Sequence, residues 1–244
     1  MIRGIILILG SNSLIGAGVY SIPEAALLTG VSAASIRRWS SGYAYKKSGV
    51  ERSVPAKWAR EFEAIDGQTV LSFLDLMEAR FIRAFRRYNV SWAAIRAAAE
   101  QASELFHDTH PFTRQRFQTD GKRIFARIEA RDDVRLFDLN RKSWVFSSIV
   151  DPSLYRGVEF ERDQVARWYP MFPNRTVVLD PKRGFGRPIT REGIATDILV
   201  AALDSAGGNF DETARWYGVP SASVRAAAAF EARMRSVNPT AAAA

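Results

Sequence analysis

The chain has 244 residues, 34 Lys and Arg against 26 Asp and Glu, a formal net charge of +8 and no cysteine. That length can bury a core without staples. The missing cysteine excludes a disulfide scaffold, a cysteine-ligated zinc site and a thiol nucleophile, in keeping with a reducing cytoplasm. Charge is also gathered in one place: residues 1–60 carry eight basic and two acidic side chains, whereas 61–150 carry 14 and 13 and 151–244 carry 12 and 11. A basic excess on one small unit is the footprint of a phosphate-backbone binder, with a merely solvated basic face as the alternative.

Residues 1–18 read as a leader segment. Its apolar run, Ile5–Leu9, falls well short of the roughly 20 residues a membrane span needs, and a signal peptide or an over-long start are the alternatives to a strand-like or poorly ordered leader. Residues 19–66 read as a winged helix-turn-helix. Ser21 and Glu24 have capping-box spacing, Pro23 is tolerated in the first turn, and Ala25, Leu28 and Val31 form an apolar edge. Gly30 supplies the turn, Ser32 caps the second helix, and Ile36 and Trp39 face inward. The stretch "GYAYKKSGV" then predicts a hairpin wing turning through Lys46-Lys47-Ser48-Gly49.

Residues 67–178 read as a central α+β unit and connector. A helix starts after Ser72, with Leu74, Met77, Phe81, Phe85 and Tyr88 on one face and Arg80, Arg83 and Arg87 on another stripe. Asn89 breaks it and Ser91 caps a helix to about Phe106. Further on, "RQRFQTDGKRIFARI" alternates around Asp120-Gly121, a hairpin signal, and "SWVFSSI" and "RTVVL" predict short strands. Residues 179–235 predict a helix from Thr196 or Asp197, an Asn209–Glu212 capping pair, and a last helix begun at Pro220. Residues 236–244 read as a frayed tail. The fold class expected is mainly α (α+β).

Three stretches repeat one unit: "TGVSAASIRRW", "YNVSWAAIRAAAE" and "YGVPSASVRAAAAFE". Any tight helix pair needs such a turn and two apolar positions, so shared physics alone accounts for the likeness as well as ancestry does. The copies differ in charge. Around the first lie the candidate DNA-binding residues Ser32, Ser35, Arg37, Arg38, Tyr43, Tyr45, Lys46 and Lys47, with the helix from Ser32 to Ser40 as the major-groove element. Trp168 in the connector and Phe210, Trp216, Tyr217 and Phe230 around the third are candidate partner or dimer contacts, the last four equally candidates for that unit's own core.

Signals for chemistry are weak. His107 and His110 in "HDTH" have no third ligand with a matching motif, which favours a capping or surface role. The stretch "RGFGRP" lacks the Gly-Lys-Ser/Thr ending of a phosphate loop. No catalytic residue, metal or cofactor is assigned, and no RNA-binding signature accompanies Tyr43 and Tyr45.

The segment from Val177 to Glu231 resembles the small C-terminal domain of VapB-type antitoxins of bacterial toxin-antitoxin modules. Asp180-Pro181, Gly186-Arg187-Pro188, Gly193 and Tyr217-Gly218-Val219 carry the likeness. The segment from Gly18 to Tyr43 is similar to the winged helix-turn-helix of MerR-like regulators, and "LSFLDLMEARFIRAFRRYNVS" with "HPFTRQRFQTDGKRIF" looks like the middle of longer members. Where the antitoxin family follows its second glycine with a Thr-Arg-Ile-Pro type run, this chain has Gly193-Ile194-Ala195, which bears on partner choice if that loop makes contacts. The resemblance implies a cytoplasmic, non-enzymatic homodimer that neutralises a PIN-type ribonuclease toxin and represses its operon by binding operator DNA. A stand-alone MerR-like regulator with a ligand-sensing centre, marked by a pocket between residues 110 and 178, is the alternative. Neither reading involves a membrane.

Overall fold

The computed structural model describes residues 14–56, 58–114 and 155–237, with the backbone of 117–119, 124–130, 133–138 and 143–145. Most of the leader, the side chain of Lys47, the Asp120-Gly121 turn and the end of the tail lie outside the described residues.

Strand β1 (Tyr20–Ser21) leads into α1 (Ile22–Thr29), and α2 (Ala33–Ser41) follows. Ser21 and Glu24 form the expected capping box, and Ser32 accepts the Ser35 N–H. Strands β2 (Tyr43–Lys47) and β3 (Val50–Val54) make an antiparallel hairpin. Its loop is tighter than expected, because Ser48 and Gly49 alone turn it, with φ of 52° and 77°, and Lys46 and Lys47 belong to the strand. Both loop residues have the positive φ that matches strand twist in a two-residue hairpin.

Strand β4 (Val70–Leu71) pairs with β1 and delivers the chain into α3 (Phe73–Arg87), which α4 (Trp92–Phe106) and the short α5 (Pro111–Arg114) follow. Strands β5 (Phe117–Thr119), β6 (Ile124–Ala130), β7 (Asp133–Asp138) and β8 (Ser143–Val145) form an antiparallel meander. Strands flank the expected turn, with Thr119 opposite Ile124. A second antiparallel sheet has the order β12-β11-β10-β9, from β9 (Val158–Glu161), β10 (Gln164–Trp168), β11 (Val177–Leu179) and β12 (Pro188–Thr190). Helices α6 (Thr196–Ser205), α7 (Phe210–Tyr217) and α8 (Ser221–Val237) end the described chain. The chain is thus mixed α and β.

The three repeated units share more than their letters. Gly30, Asn89 and Gly218 all take the left-handed conformation, with φ of 66°, 62° and 63°, where glycine is unstrained and asparagine is tolerated. The next residue, Val31, Val90 or Val219, is buried each time, as is the apolar residue one turn into the following helix, Ile36, Ile95 or Val224. One local solution is therefore used three times.

Helix α3 is buried far beyond its apolar face. Arg80, on the second stripe, lays its guanidinium over the Phe81 and Trp168 rings at 5.4 and 5.2 Å and donates to the Arg156 carbonyl. Arg83 donates to the Thr29 carbonyl at the end of α1. In the first turns, Asp75 accepts the Ser72 N–H at 2.9 Å, the Trp58 indole N–H at 2.6 Å and a hydrogen bond with His110 Nε2 at 2.9 Å. The surface role considered for His110 is therefore corrected: the imidazole is buried because the chain before α5 returns it to α3. His107 does cap, closing α4 in the left-handed conformation with its N–H on the Ser103 carbonyl.

One core cluster runs from Tyr20, Ile36 and Trp58 through α3 and α4 to Val165, Trp168 and Leu179. It draws on both sides of position 66. The C-terminal helices have a smaller core of Leu199, Leu203, Ala214, Val219, Val224 and Ala227.

Glu78 sits one turn beyond Asp75, fully buried, and burial pushes its carboxyl up to about 8, only partly offset by His110 and the Phe112 N–H. Burial pulls His110 down, but the Asp75 hydrogen bond and the charges of Asp75, Glu78 and Glu61 outweigh it, so the imidazole titrates above its ordinary value. Both groups bind protons more tightly folded than unfolded, so stability falls as pH rises through the window from about 4.5 to about 8. Melting temperatures across pH 5–8 should drop for the wild type and drop less for Glu78→Gln; matching slopes would sink this account.

Candidate nucleic-acid and partner surfaces

The first candidate surface centres on α2. Ser32, Arg37 and Arg38 are exposed and Ser35 is half-buried. The Ser32 and Ser35 hydroxyls hydrogen-bond each other at 2.9 Å, and Arg38 Nε donates to the Ala34 carbonyl at 3.3 Å. Successive helical residues point about 100° apart, so Arg37 and Arg38 diverge on either side of the outer face. Arg38 and Ser35 lie on the flank that leads to Trp39. Trp39 meets Trp92 edge-on at 5.1 Å, and Arg86 stacks over Trp92 at 5.3 Å. Through these rings the outer side of α2 continues onto the corner between α3 and α4, where Arg86, Arg87 and Arg96 are exposed. Of these, the sequence pattern places Arg87 on the second stripe of α3 but singles out neither Arg86 nor Arg96. The signal was present, because Arg96 occupies in the second unit the place of Arg37 in the first.

The hairpin follows directly from the end of α2. Gly42 closes α2 with its N–H on the Arg38 carbonyl at 3.1 Å, and a Cβ there would lie 2.5 Å from the Val54 carbonyl oxygen. Tyr43 and Tyr45 are exposed with ring centroids 6.0 Å apart, while Lys46 points to the opposite face of the hairpin. The register therefore sets Lys46 apart from the two tyrosines.

The antitoxin-like motifs do structural work. The Asp180 carboxylate accepts from Arg167 Nε and from the Lys182 N–H, both at 2.9 Å, and so bends the chain at Pro181. The turn Gly184–Gly186 docks on the N-terminal segment: the Tyr20 hydroxyl donates to the Gly186 carbonyl at 2.6 Å and the Val19 N–H to the Phe185 carbonyl at 3.2 Å. A Cβ on Gly186 would stand 2.5 Å from that hydroxyl. Burial raises the Tyr20 phenol, which keeps it a neutral donor. Arg187 pairs with Asp197 at the start of α6. In the divergent stretch, Gly193 takes φ of 94° and Ala195 precedes α6 without a side-chain cap.

The five candidate contact residues part company. Trp168 lies under Arg80 in the main core, and Phe230 packs with Val177, Met234, Leu27 and Leu28, joining α8 to α1. Both are buried, in clusters that reach beyond the C-terminal helices. Phe210 is half-buried beneath the Arg225 guanidinium at 4.4 Å. Trp216 and Tyr217 are exposed, at 55% and 37%.

An open cavity of about 320 Å³ lies between the N-terminal segment, the start of α3 and the β9–β10 hairpin, lined by Ile15, Phe73, Leu74, Gln164, Val165 and Lys182 among others. Only part of its lining comes from the central region. No helix among the described residues is long and apolar enough to cross a membrane.

With this geometry in place, two comparisons bear on the chain. It is 26% identical over 226 residues to a Mycobacterium tuberculosis H37Rv protein named a candidate antitoxin, VapB45, covering 82% of this chain and 88% of that protein. It also shares its fold with the crystal structure of Rv2018 from Mycobacterium tuberculosis, with a TM-score of 0.56 at 22% identity over 85% of this chain and 96% of that one. No family model matches.

The division of the aromatic residues is open to a direct check. Phe230→Ala should cost about 3–5 kcal/mol in urea unfolding. Trp216→Ala should change stability by no more than about 0.5 kcal/mol, and a larger loss would place Trp216 in the core.

Proposed function

We propose that this protein is an antitoxin that binds and neutralises a PIN-type ribonuclease toxin and represses its own operon by binding DNA. The observation that carries the reading is the similarity to the candidate antitoxin VapB45 across most of both chains. The residues at each end of the molecule support the two halves of that function.

For DNA, α2 is the major-groove element. Arg37 and Arg38 diverge, so one is placed for a base edge and the other for a phosphate. Tyr43, Tyr45 and the hairpin reach the flanking backbone, and Arg86, Arg87 and Arg96 add positive charge on the far side of Trp39. A unit this small needs a second copy to read an operator, so the working form is a homodimer on a pseudo-palindrome. For the toxin, Trp216 and Tyr217 are the exposed aromatic anchors of the C-terminal unit, in the way interface hot spots are built. Such a protein acts in the cytoplasm by binding alone, with no chemistry of its own.

The 320 Å³ cavity favours a second reading, a stand-alone regulator that senses a small molecule. One experiment separates the two. The neighbouring gene is expressed alone and with this chain, in wild-type, Trp216→Ala and Arg37→Ala/Arg38→Ala forms, scoring growth, co-elution and binding to the upstream duplex. The antitoxin reading expects growth arrest by the neighbour, rescue and co-elution with the wild type, weaker rescue with Trp216→Ala, and duplex affinity reduced by about 1–3 kcal/mol per arginine lost. A harmless neighbour with duplex binding intact would leave the regulator instead.

A further inference from the structure

The hairpin that follows α2 presents two faces of different chemistry, and the strand register says which residues share each. Tyr43 lies opposite Val54 and Tyr45 opposite Arg52, while Ala44 lies opposite Ser53 and Lys46 opposite Glu51. Residues directly opposite point to the same side. One face therefore carries Tyr43, Tyr45, Arg52 and Val54, and the other carries Ala44, Lys46, Glu51 and Ser53.

The second face sets a carboxylate directly across from its lysine. Opposite charges at such a position attract each other, and a polyanion approaching Lys46 would meet Glu51 at the same distance. Among these eight residues, the first face has a cation and no acid. Arg52 is exposed there, with the Tyr45 ring across from it and the Tyr43 ring 6.0 Å from Tyr45. A guanidinium with two phenols on one exposed strip makes a donor set for phosphate oxygens, with aromatic surface to lie against sugars.

From this arrangement we infer that the hairpin meets duplex DNA through its Tyr43–Tyr45–Arg52 face, with Arg52 as the phosphate-binding cation and Lys46 as a bystander. The inference rests on the DNA-binding reading and refines it, because Lys46, one of the two lysines the sequence favours, lies on the other face. Arg52 anchors the backbone on one side of the groove that α2 enters, and the two phenols hold its register.

The test measures binding of the full-length chain to a fluorescent duplex of about 30 base pairs taken from upstream of its own gene, and to a scrambled duplex, between 50 and 200 mM salt. Wild type, Arg52→Ala, Arg52→Lys and Lys46→Ala are compared, with melting temperatures to confirm folding. Arg52→Ala should weaken binding on both duplexes and lower the slope of log affinity against log salt by about 0.9. Arg52→Lys should restore most of that slope, and Lys46→Ala should leave it unchanged. If the wild type binds and Arg52→Ala keeps the full slope, or Lys46→Ala loses it instead, the assignment of the faces is overturned. If the wild type binds neither duplex, the DNA-binding reading itself falls and this inference with it.

Discussion

A single buried carboxylate organises the middle of the molecule. Asp75 has no exposure, and an ionised carboxylate in that position is tolerable only when its oxygens are fully engaged. Its partners come from three places in the chain: the Ser72 N–H at its own helix cap, the Trp58 indole from the segment after the hairpin, and the His110 imidazole from the approach to α5. Each holds one stretch of chain against the first turn of α3. Because Leu71, next to the cap, pairs with Tyr20, the same knot also fixes where β1 hands over to α1. The basic N-terminal unit is consequently built into the core and is not tethered to it by a linker.

The C-terminal unit is attached by different means. Its contacts with the N-terminal segment include two neutral hydrogen bonds, Tyr20 to Gly186 and Val19 to Phe185, and an apolar patch in which Phe230 and Met234 of α8 meet Leu27 and Leu28 of α1. Helix α1 thus has two tasks, supporting α2 on one side and receiving α8 on another. The exposed Trp216 and the exposed arginines of α2 lie in separate units, with α1 packed between α2 and α8. Arg187 with Asp197 and Thr196 with Glu231 tie the C-terminal helices to one another and to the turn before them.

The three repeated turns show how one local solution takes different roles. Each uses a left-handed residue, a buried valine and a buried aliphatic one turn on. What differs is the surrounding surface. In the first unit Arg37 is left in solvent, in the second Arg96 stands on the same helical flank as Trp92, and in the third Arg225 is drawn over the Phe210 ring. A cation over an aromatic ring is already satisfied in part, so the third copy is the least suited to hold a phosphate.

Local structure was legible in the sequence wherever neighbours in the chain decide it. The caps at Ser21, Ser32, Ser72, Ser91 and Asn209, the left-handed turns at Gly30, Asn89 and Gly218, and the apolar stripe of α3 all follow from side-chain reach and backbone sterics over a few residues. Charge placement was equally plain, since it requires only counting. Long-range pairing was not legible, because no local pattern records which distant group will neutralise a buried one. His110 reads as one more polar residue in "HDTH" until α5 brings it to Asp75, and Trp168 reads as a surface anchor until Arg80 folds over it. The sequence by itself determined the elements, their caps and where the positive charge lies; tertiary structure alone decided which side chains are spent on the core and which face outward, because burial is a property of what arrives from elsewhere in the chain.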